Sequence, residues 1–517
     1  MLHSHKNDSV PTPGRRWFCH AAVAALTLCI LLIHGYHPFA EDGGLYVAGI
    51  ESVLNPSLFP HDLAFATATR HYSLFAPFIA QLVRALHIPL PWLLLLAYLA
   101  GAWLLLYAAW KIAAQCFRSE RAQVYAVALL AAWYSLPIAG TSLLLMDPYV
   151  TARTFSTPLS LLAIAFALNF QWQRKNATLL LRCVACLALA AAFHPLMATY
   201  AAGLIVALLV AKSPSRRVQL SSWIILAVSA VLAAALLQII APAESAAAIV
   251  AATSRYYWFL SQWQWYELLG LAGPLVVLVL LMRYARATLG ESGTALCRAS
   301  IAVGLIAMLV SLLFAHEQFS THLVARLQPL RAFLLLYAIM TILLGATLAD
   351  LCLRWPRLRI LPPLCITAMA CVMFFAQRQT FPASQHLELP WGAPTNPWSR
   401  AFLWARDNTP TDALFALDAN YVTTPGEDAQ TFRATAERSV LPDFSKDGGE
   451  AAIRPALATD WFVGMVAQKD LSRLTDAERD THLNPMHVSW LLLLSTATTS
   501  NPCPYDNGTV KICRLDP

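Results

Sequence analysis

The sequence predicts an α-helical polytopic membrane protein of roughly eleven spans, N-terminus inside and C-terminus outside, with a small extracytoplasmic α/β C-terminal domain. Three observations carry that expectation. Of 517 residues, 58% are hydrophobic and only 13% charged, about half the charged share of a soluble globular protein, and mean hydropathy is +0.54. Apolar runs close to the ~20 residues needed to cross a bilayer recur along the chain. Basic residues gather at every second connection between those runs. A large water-soluble protein and intrinsic disorder are both excluded. The net charge of +7 does not point to nucleic acid, because it is unevenly spread. The first 377 residues hold 24 basic and 12 acidic side chains, and those from Arg378 onward hold 12 and 17.

Taken in order, the runs are 17–36, 91–113, 121–139, 156–171, 177–193, 195–211, 219–241, 267–283, 298–315, 329–351 and 359–377. Charge assigns their sides. One set of connections carries Lys6, Arg15 and Arg16; Lys111, Arg118 and Arg121; Arg174 and Lys175; Lys212, Arg216 and Arg217; Arg283, Arg286 and Arg298; and Arg354, Arg357 and Arg359. The opposite set holds Arg70, Arg84, Arg153, Arg255, Arg326 and Arg331. Seventeen against six fixes an odd number of spans, basic side inward. The first run is read as an uncleaved span, since His34-Gly35-Tyr36-His37 offers no small-x-small cleavage pattern.

Three regions follow: a spanning body over 1–377 with a long first outward connection (38–90), a Pro-rich linker over 378–397, and an α/β domain over 398–517. The last is expected to contain helices near 398–408, 453–467 and 471–481, with strands at 413–417, 488–494 and 510–515. In the first connection Leu74, Phe75, Phe78, Ile79, Leu82, Val83 and Leu86 recur at helical spacing, which predicts a helix lying along the membrane surface. Tyr256, Tyr257, Trp258, Trp263, Trp265 and Tyr266 suit an interfacial aromatic belt. Nine of eleven cysteines lie in or beside apolar runs and read as small core residues. Cys503 and Cys513 flank Asn507-Gly508, a hairpin signal, and are expected to form a disulfide in an oxidising compartment.

Eight of the body's twelve acids fall on or near the outward side: Glu41, Asp42, Glu51, Asp62, Asp147, Glu244, Glu267 and Glu317. Glu41-Asp42-Gly43-Gly44 is the sharpest cluster. Adjacent carboxylates at a water–lipid boundary, followed by glycines that let a backbone approach a ligand, suit a divalent cation or a general base; a plain solvated loop is the alternative. Asp62 with Arg70 and His71, and Asp147 with Arg153, place cations beside carboxylates where a lipid-linked phosphate or anionic headgroups would lie. His194, before Pro195, reads first as a hairpin cap. His316-Glu317 with His322 and Arg326 is not a zinc-protease site, because Ser320 stands where the second ligand belongs. The lack of a Walker loop or dinucleotide fingerprint counts against an ATP-driven pump.

A first span, an outward loop opening with paired acids, about eleven spans and an outward C-terminal domain together resemble the GT-C superfamily of membrane glycosyltransferases, which use polyprenyl-phosphate sugars or lipid-linked oligosaccharides. The chain is similar, more closely, to an uncharacterised bacterial multi-pass family. That likeness is carried by Glu41-Asp42-Gly43-x-x-Tyr46-Val47, Leu54-Asn55-Pro56, Phe59-Pro60-x-Asp62, Ala152-Arg153-x-Phe155-Ser156-x-Pro158-Leu159 and His194-Pro195. In the tail it rests on Trp404-x-x-x-Asn408-Thr409-Pro410-x-Asp412-Ala413-Leu414-Phe415, with Arg438-Ser439 and Lys446. The resemblance implies Asp42, with Glu41, as general base on an acceptor hydroxyl, and Arg153 or Arg326 facing the departing lipid phosphate. Asp62, Arg70, His71, Asp147, His194 and Glu317 are the remaining substrate-binding candidates. It also implies the outer face of a bacterial inner membrane and a polyprenyl-phosphate sugar donor; the cofactor is left open, a divalent cation being a possibility that only the Glu41-Asp42 pair itself offers. The pair is Glu-Asp here, where Asp-Asp is commoner. Two alternatives stand beside the transferase: a non-catalytic protein of the same fold in envelope glycolipid assembly, and a secondary transporter, disfavoured by acids at the boundary and halves without mutual likeness.

Overall fold

In the computed structural model residues 13–170, 176–213 and 215–515 are described; Lys6, Arg174 and Lys175 of the charge pattern lie outside them. A helix forms on every apolar run. The body comprises α1 (Pro13–His34), α2 (Glu41–Leu54), α3 (Leu63–Ala66), α4 (Phe75–Leu86), α5 (Leu90–Cys116), α6 (Glu120–Ala132), α7 (Arg153–Asn169) and α8 (Ala177–Phe193). It continues through α9 (Pro195–Ala211), α10 (Arg216–Ile240), α11 (Ala246–Thr253), α12 (Trp265–Tyr284), α13 (Arg286–Phe314), α14 (Leu323–Arg326), α15 (Phe333–Leu353) and α16 (Leu361–Thr380). Among the described residues six stretches are long and apolar enough to cross a membrane: Leu90–Cys116, Arg216–Ile240, Trp265–Tyr284, Arg286–Phe314, Leu323–Leu353 and Pro356–Thr380. Phe18–His34, Ala177–Phe193 and Pro195–Ala211 are apolar but shorter.

One run is cut short. The pattern over 121–139 predicts a full span, yet α6 stops at Ala132 after 13 residues. Leu136 precedes Pro137, a position driven out of the helical region, and Tyr134, Ala139 and Ser142 adopt positive φ. The chain there is irregular and forms one wall of a cavity. At the centre of the bundle α15 is almost wholly buried against α6, α5 and α13. At its edge α10 and α16 show the opposite character: Leu232 is 63% and Ile239 80% exposed. Rows of apolar side chains without protein partners are what a lipid-facing helix presents.

The C-terminal region holds α17 (Pro397–Asn408), β1 (Leu414–Ala416), α18 (Phe432–Ala436), β2 (Ser439–Val440), α19 (Lys446–Ile453), α20 (Ala458–Ala467), α21 (Asp476–Leu483), β3 (Trp490–Leu494), β4 (Tyr505–Asp506) and β5 (Val510–Arg514). The strands form one sheet in the order β2-β1-β3-β5-β4. Strand β1 pairs parallel with β2 and β3 and is buried throughout, as its continuous Leu-Phe-Ala run requires. Strands β4 and β5 close an antiparallel hairpin through Asn507-Gly508, with Gly508 at φ 83°, and Cys503 is disulfide-bonded to Cys513.

This region is laced to the first connection. Tyr36 bridges to Leu387 and Ala40 to Gln430, while the Thr431 amide and hydroxyl both donate to the Phe39 carbonyl at 3.1 and 2.8 Å. Four hydrogen bonds hold the linker to the ends of α1 and α16: Leu32 O to His386 Nε2 (2.8 Å), His386 Nδ1 to the Gln377 amide (2.9 Å), that amide to His37 Nε2 (2.7 Å), and His37 Nδ1 to Glu388 (3.1 Å).

Two expectations change here. The glycines after Asp42 lie inside α2 and admit protein rather than a ligand: a Cβ at Gly44 would stand 1.6 Å from Thr431 Oγ1, and one at Gly43 would stand 2.8 Å from Tyr149 Cβ. The α4 helix packs partly on protein: Phe75 and Ile79 of its apolar stripe are buried, with α2 among the partners, while Leu74, Phe78 and Leu86 stay exposed. Alanine favours a helix over glycine by about 1 kcal/mol, so a loss at Gly44 reports the contact alone. Gly44→Ala is expected to destabilise by about 1–3 kcal/mol, read as a lower thermal midpoint. Adding Thr431→Gly should restore most of it.

Candidate functional site

The start of α2, the start of α7, the turn before α15 and α19 converge on a cavity of about 760 Å³. That lies within the range of small-molecule sites, roughly 300–1,000 Å³. Helix α2 brings Glu41 and Asp42 in its first turn, where carboxylates complement the helix dipole. Glu41 sits at φ 54°, a left-handed position that costs a non-glycine residue about 1 kcal/mol or more. Its amide is held by the Ala429 carbonyl at 2.7 Å, so the C-terminal region maintains that backbone. Helix α7 opens with Arg153, a cation at the wrong end of a dipole, which therefore needs carboxylates nearby. Helix α19 turns one face to the cavity, with Lys446, Gly449, Glu450 and Ile453 at i, i+3, i+4 and i+7.

The charges are interlocked. Arg153 Nη2 donates to Asp42 Oδ2 at 3.0 Å and to Asp147 Oδ2 at 3.2 Å. Lys446 Nζ donates to Glu41 Oε2 and lies 3.5 Å from Asp42 Oδ1. Burial alone would raise the Asp42 carboxyl, but Lys446, Arg153 and Arg331 outweigh it and hold Asp42 well below the usual carboxylate range. Asp147, more deeply buried and facing the Asp42 charge, is pushed up to about 6 despite Arg153. Two guanidiniums keep free capacity. Arg153 Nε is buried without a hydrogen-bond partner among the described residues. Arg331 has no carboxylate partner among them: its guanidinium lies over the Tyr257 ring at 5.5 Å, and its Nε is likewise unpartnered. Arg255, also on the wall, spends its donors on the Ser445 and Phe444 carbonyls at 2.6 and 2.7 Å. Five cations (Arg153, Arg255, Arg326, Arg331 and Lys446) thus face three carboxylates (Glu41, Asp42 and Glu450) across a wall rich in tyrosine. Chemically, the arrangement can receive an anion and present it to an ionised carboxylate.

A divalent cation does not fit the Glu41-Asp42 pair. The Lys446 ammonium already occupies the space between Glu41 and Asp42, and no group of three His, Cys, Asp or Glu among the described residues could hold a metal.

Of the sequence-derived candidates, Glu41, Asp42, Arg153, His194 and Arg326 line the cavity, and Asp147 stands behind Arg153. His194 is the N-cap of α9 as well as part of the wall. Arg326 is largely committed, to Glu244 at 2.6 Å and to the Ala452 carbonyl at 2.8 Å. The others belong elsewhere. Asp62 is a docking residue, buried and paired with Arg433 at 2.7 Å. Arg70 and His71 end a short 3₁₀ turn at the exposed surface, and Glu317 accepts from Ser261 at 2.8 Å, outside the cavity wall. Sequence reasoning missed Arg331, Arg255, Glu450 and its partner Tyr72. The 446, 449, 450, 453 spacing was the available signal for α19.

No protein-family model matches the chain, and no curated protein does. Among solved structures, it is similar to the oligosaccharyltransferase of Archaeoglobus fulgidus in its apo form, with 10% identity and a TM-score of 0.49 over 93% of this chain and 70% of that one. A second structure, the archaeal oligosaccharyltransferase AglB from Archaeoglobus fulgidus with an inhibitory peptide and a dolichol-phosphate, aligns at 12% identity and 0.45 over 93% and 70%. A third, the Archaeoglobus fulgidus enzyme with Zn and sulfate, aligns at 13% and 0.40 over 92% and 67%. Identities and scores this low carry no argument about activity.

Proposed function

We propose that this chain is a membrane glycosyltransferase of the GT-C kind, taking a polyprenyl-phosphate-linked sugar at the outer face of a bacterial inner membrane and passing the sugar to a hydroxyl acceptor. The observation that carries the reading is the cationic cavity itself: Asp42 ionised between Arg153 and Lys446, with the Arg331 guanidinium left without a carboxylate partner at ion-pair distance among the described residues. An uncompensated buried cation is costly unless an anion completes it. A sugar phosphodiester supplies one negative charge and several acceptor oxygens. Tyrosine rings on the same wall give a sugar apolar faces to rest on. The resemblance to GT-C members in a first loop that opens with paired acids, Glu41 and Asp42, supports the same reading.

The test is binding of a panel of polyprenyl-phosphate sugars to the full chain in nanodiscs. One donor is expected to bind saturably, and Arg331→Gln should weaken it about tenfold, the equivalent of ~1.4 kcal/mol. Absence of binding across a broad panel, with the protein folded, would remove the transferase reading and favour a non-catalytic one.

A further inference from the structure

We propose that Glu450 is the group that takes the proton from the acceptor hydroxyl, while Asp42 remains a fixed anion that positions Arg153 and Lys446. The proposal rests on the transferase reading above and reassigns the base within it.

Geometry separates the two carboxylates. Both Asp42 oxygens are engaged by cations, Oδ2 by Arg153 at 3.0 Å and Oδ1 by Lys446 at 3.5 Å. A carboxylate so paired is a weak proton acceptor. Glu450 lies one helical turn beyond Lys446 on the same face of α19, lines the same cavity, and is only 4% exposed. Among the described residues it has no cation within ion-pair distance. Its recorded partner is the Tyr72 hydroxyl, at 2.8 Å from Oε1 and 3.1 Å from Oε2. It faces Asp42 of α2 and Tyr72 of the first connection, and its own segment adds Asp447 and Arg454. Burial, together with Asp42 and Asp447, pushes its carboxyl up to about 7, against the opposing Tyr72 hydrogen bond and Arg454. A general base is most effective when its pKa lies near the working pH.

The step balances without a further reagent. A Glu450 oxygen accepts the hydroxyl proton as the acceptor oxygen forms its bond to the anomeric carbon. The bond from that carbon to the phosphate oxygen breaks, and its electron pair leaves on the lipid phosphate, facing Arg153 and Arg331. Glu450 then returns its proton to water. Tyr72 acts as a positioning residue, since its hydroxyl donates to the carboxylate and turns it toward the cavity.

The experiment uses the full chain in nanodiscs, the polyprenyl-phosphate sugar that binds best, and glycerol as acceptor, with kcat followed from pH 5 to 9. Wild type should rise through about pH 7 to a plateau, because only deprotonated Glu450 accepts a proton. Glu450→Gln should lower kcat about 100-fold or more, leave donor Kd within twofold, and flatten the profile. Tyr72→Phe should shift the rise to higher pH, since a donor to the ionised form is lost. Asp42→Asn should lose rate yet keep a rise. An infrared carboxyl band that titrates near pH 7 in wild type and is missing from Glu450→Gln checks the assignment independently of turnover. Retention of wild-type kcat and profile in Glu450→Gln overturns the proposal and leaves the transferase reading standing. A wild type that binds no donor and turns none over removes both.

Discussion

Substituting Arg433 by methionine is expected to cost about 3–5 kcal/mol and to loosen the C-terminal region from the first connection. Arg433 Nε donates to Asp62 Oδ2 at 2.7 Å, while Nη1 and Nη2 reach the two oxygens of Asp447 at 3.0 and 3.1 Å. The three side chains are 6%, 4% and 1% exposed, so removing the guanidinium strands two carboxylates without water. Such a pair is worth little against a well-packed apolar replacement, yet breaking it from one side is costly. The pH dependence has a definite sign. Burial already raises the Asp62 carboxyl despite Arg433, and without Arg433 it rises further. A carboxyl raised in the folded state destabilises at pH above its unfolded value and ceases to do so once protonated. Arg433→Met should therefore be less impaired at pH 5 than at pH 8. Thermal midpoints at both values check this, and limited proteolysis of the linker should report the loosening. An unchanged midpoint at pH 8 would mean the network does not hold the two parts together.

Loss of Arg153 is expected to reduce donor binding about 100-fold or more, since it removes both a cation proposed to face the donor phosphate and the group that holds Asp42 and Asp147 in place. Both of its carboxylate bonds converge on one nitrogen, Nη2, between Asp42 and Asp147. Asp42 keeps Lys446 when Arg153→Met is made, but Asp147 keeps no cation and its carboxyl moves above its present value of about 6. Arg153→Lys separates two roles. A single ammonium can still bridge the two acids, so the thermal midpoint should recover. The fork that leaves Nε free for a ligand is gone, so binding should not recover. Nanodisc binding and unfolding, measured on both variants, decide between a structural clamp and a ligand contact.

Much of the helical body was legible because apolar length is a one-dimensional signal. The first-connection acids were legible because Glu41 and Asp42 are adjacent in sequence. What failed was anything settled by distance. Asp62 reads as a loop acid beside Arg70, but its cation is Arg433, 371 residues away. Gly43 and Gly44 read as ligand-approach glycines, yet what approaches them is Tyr149 and Thr431 respectively. The 121–139 run has the hydropathy of a span, yet its helix ends at Ala132 and the chain passes through Tyr134 at positive φ before Pro137. Arg331 looked like an ordinary juxtamembrane cation, because lack of a partner shows only once the neighbours are placed. Two of the cavity's eight charged side chains, Lys446 and Glu450, come from α19, a helix too short and too polar to stand out.

The chain of hydrogen bonds from Leu32 to Glu388 also fixes a proton inventory. Its two ends, a backbone carbonyl and a carboxylate, can only accept. Four links therefore need four hydrogens. Each neutral imidazole brings one, and the Gln377 amide brings one on whichever side its nitrogen faces, which makes three. Turning the amide over changes the side and not the sum. One supernumerary proton must therefore reside on His37, His386 or Glu388, so the five groups together are electrically neutral rather than singly negative. Burial disfavours a charged His386. Without that hydrogen, two lone pairs face each other across one link. Where the link is one of the two made by Gln377, a middle member of the chain and part of the cavity wall, that side chain loses an anchor.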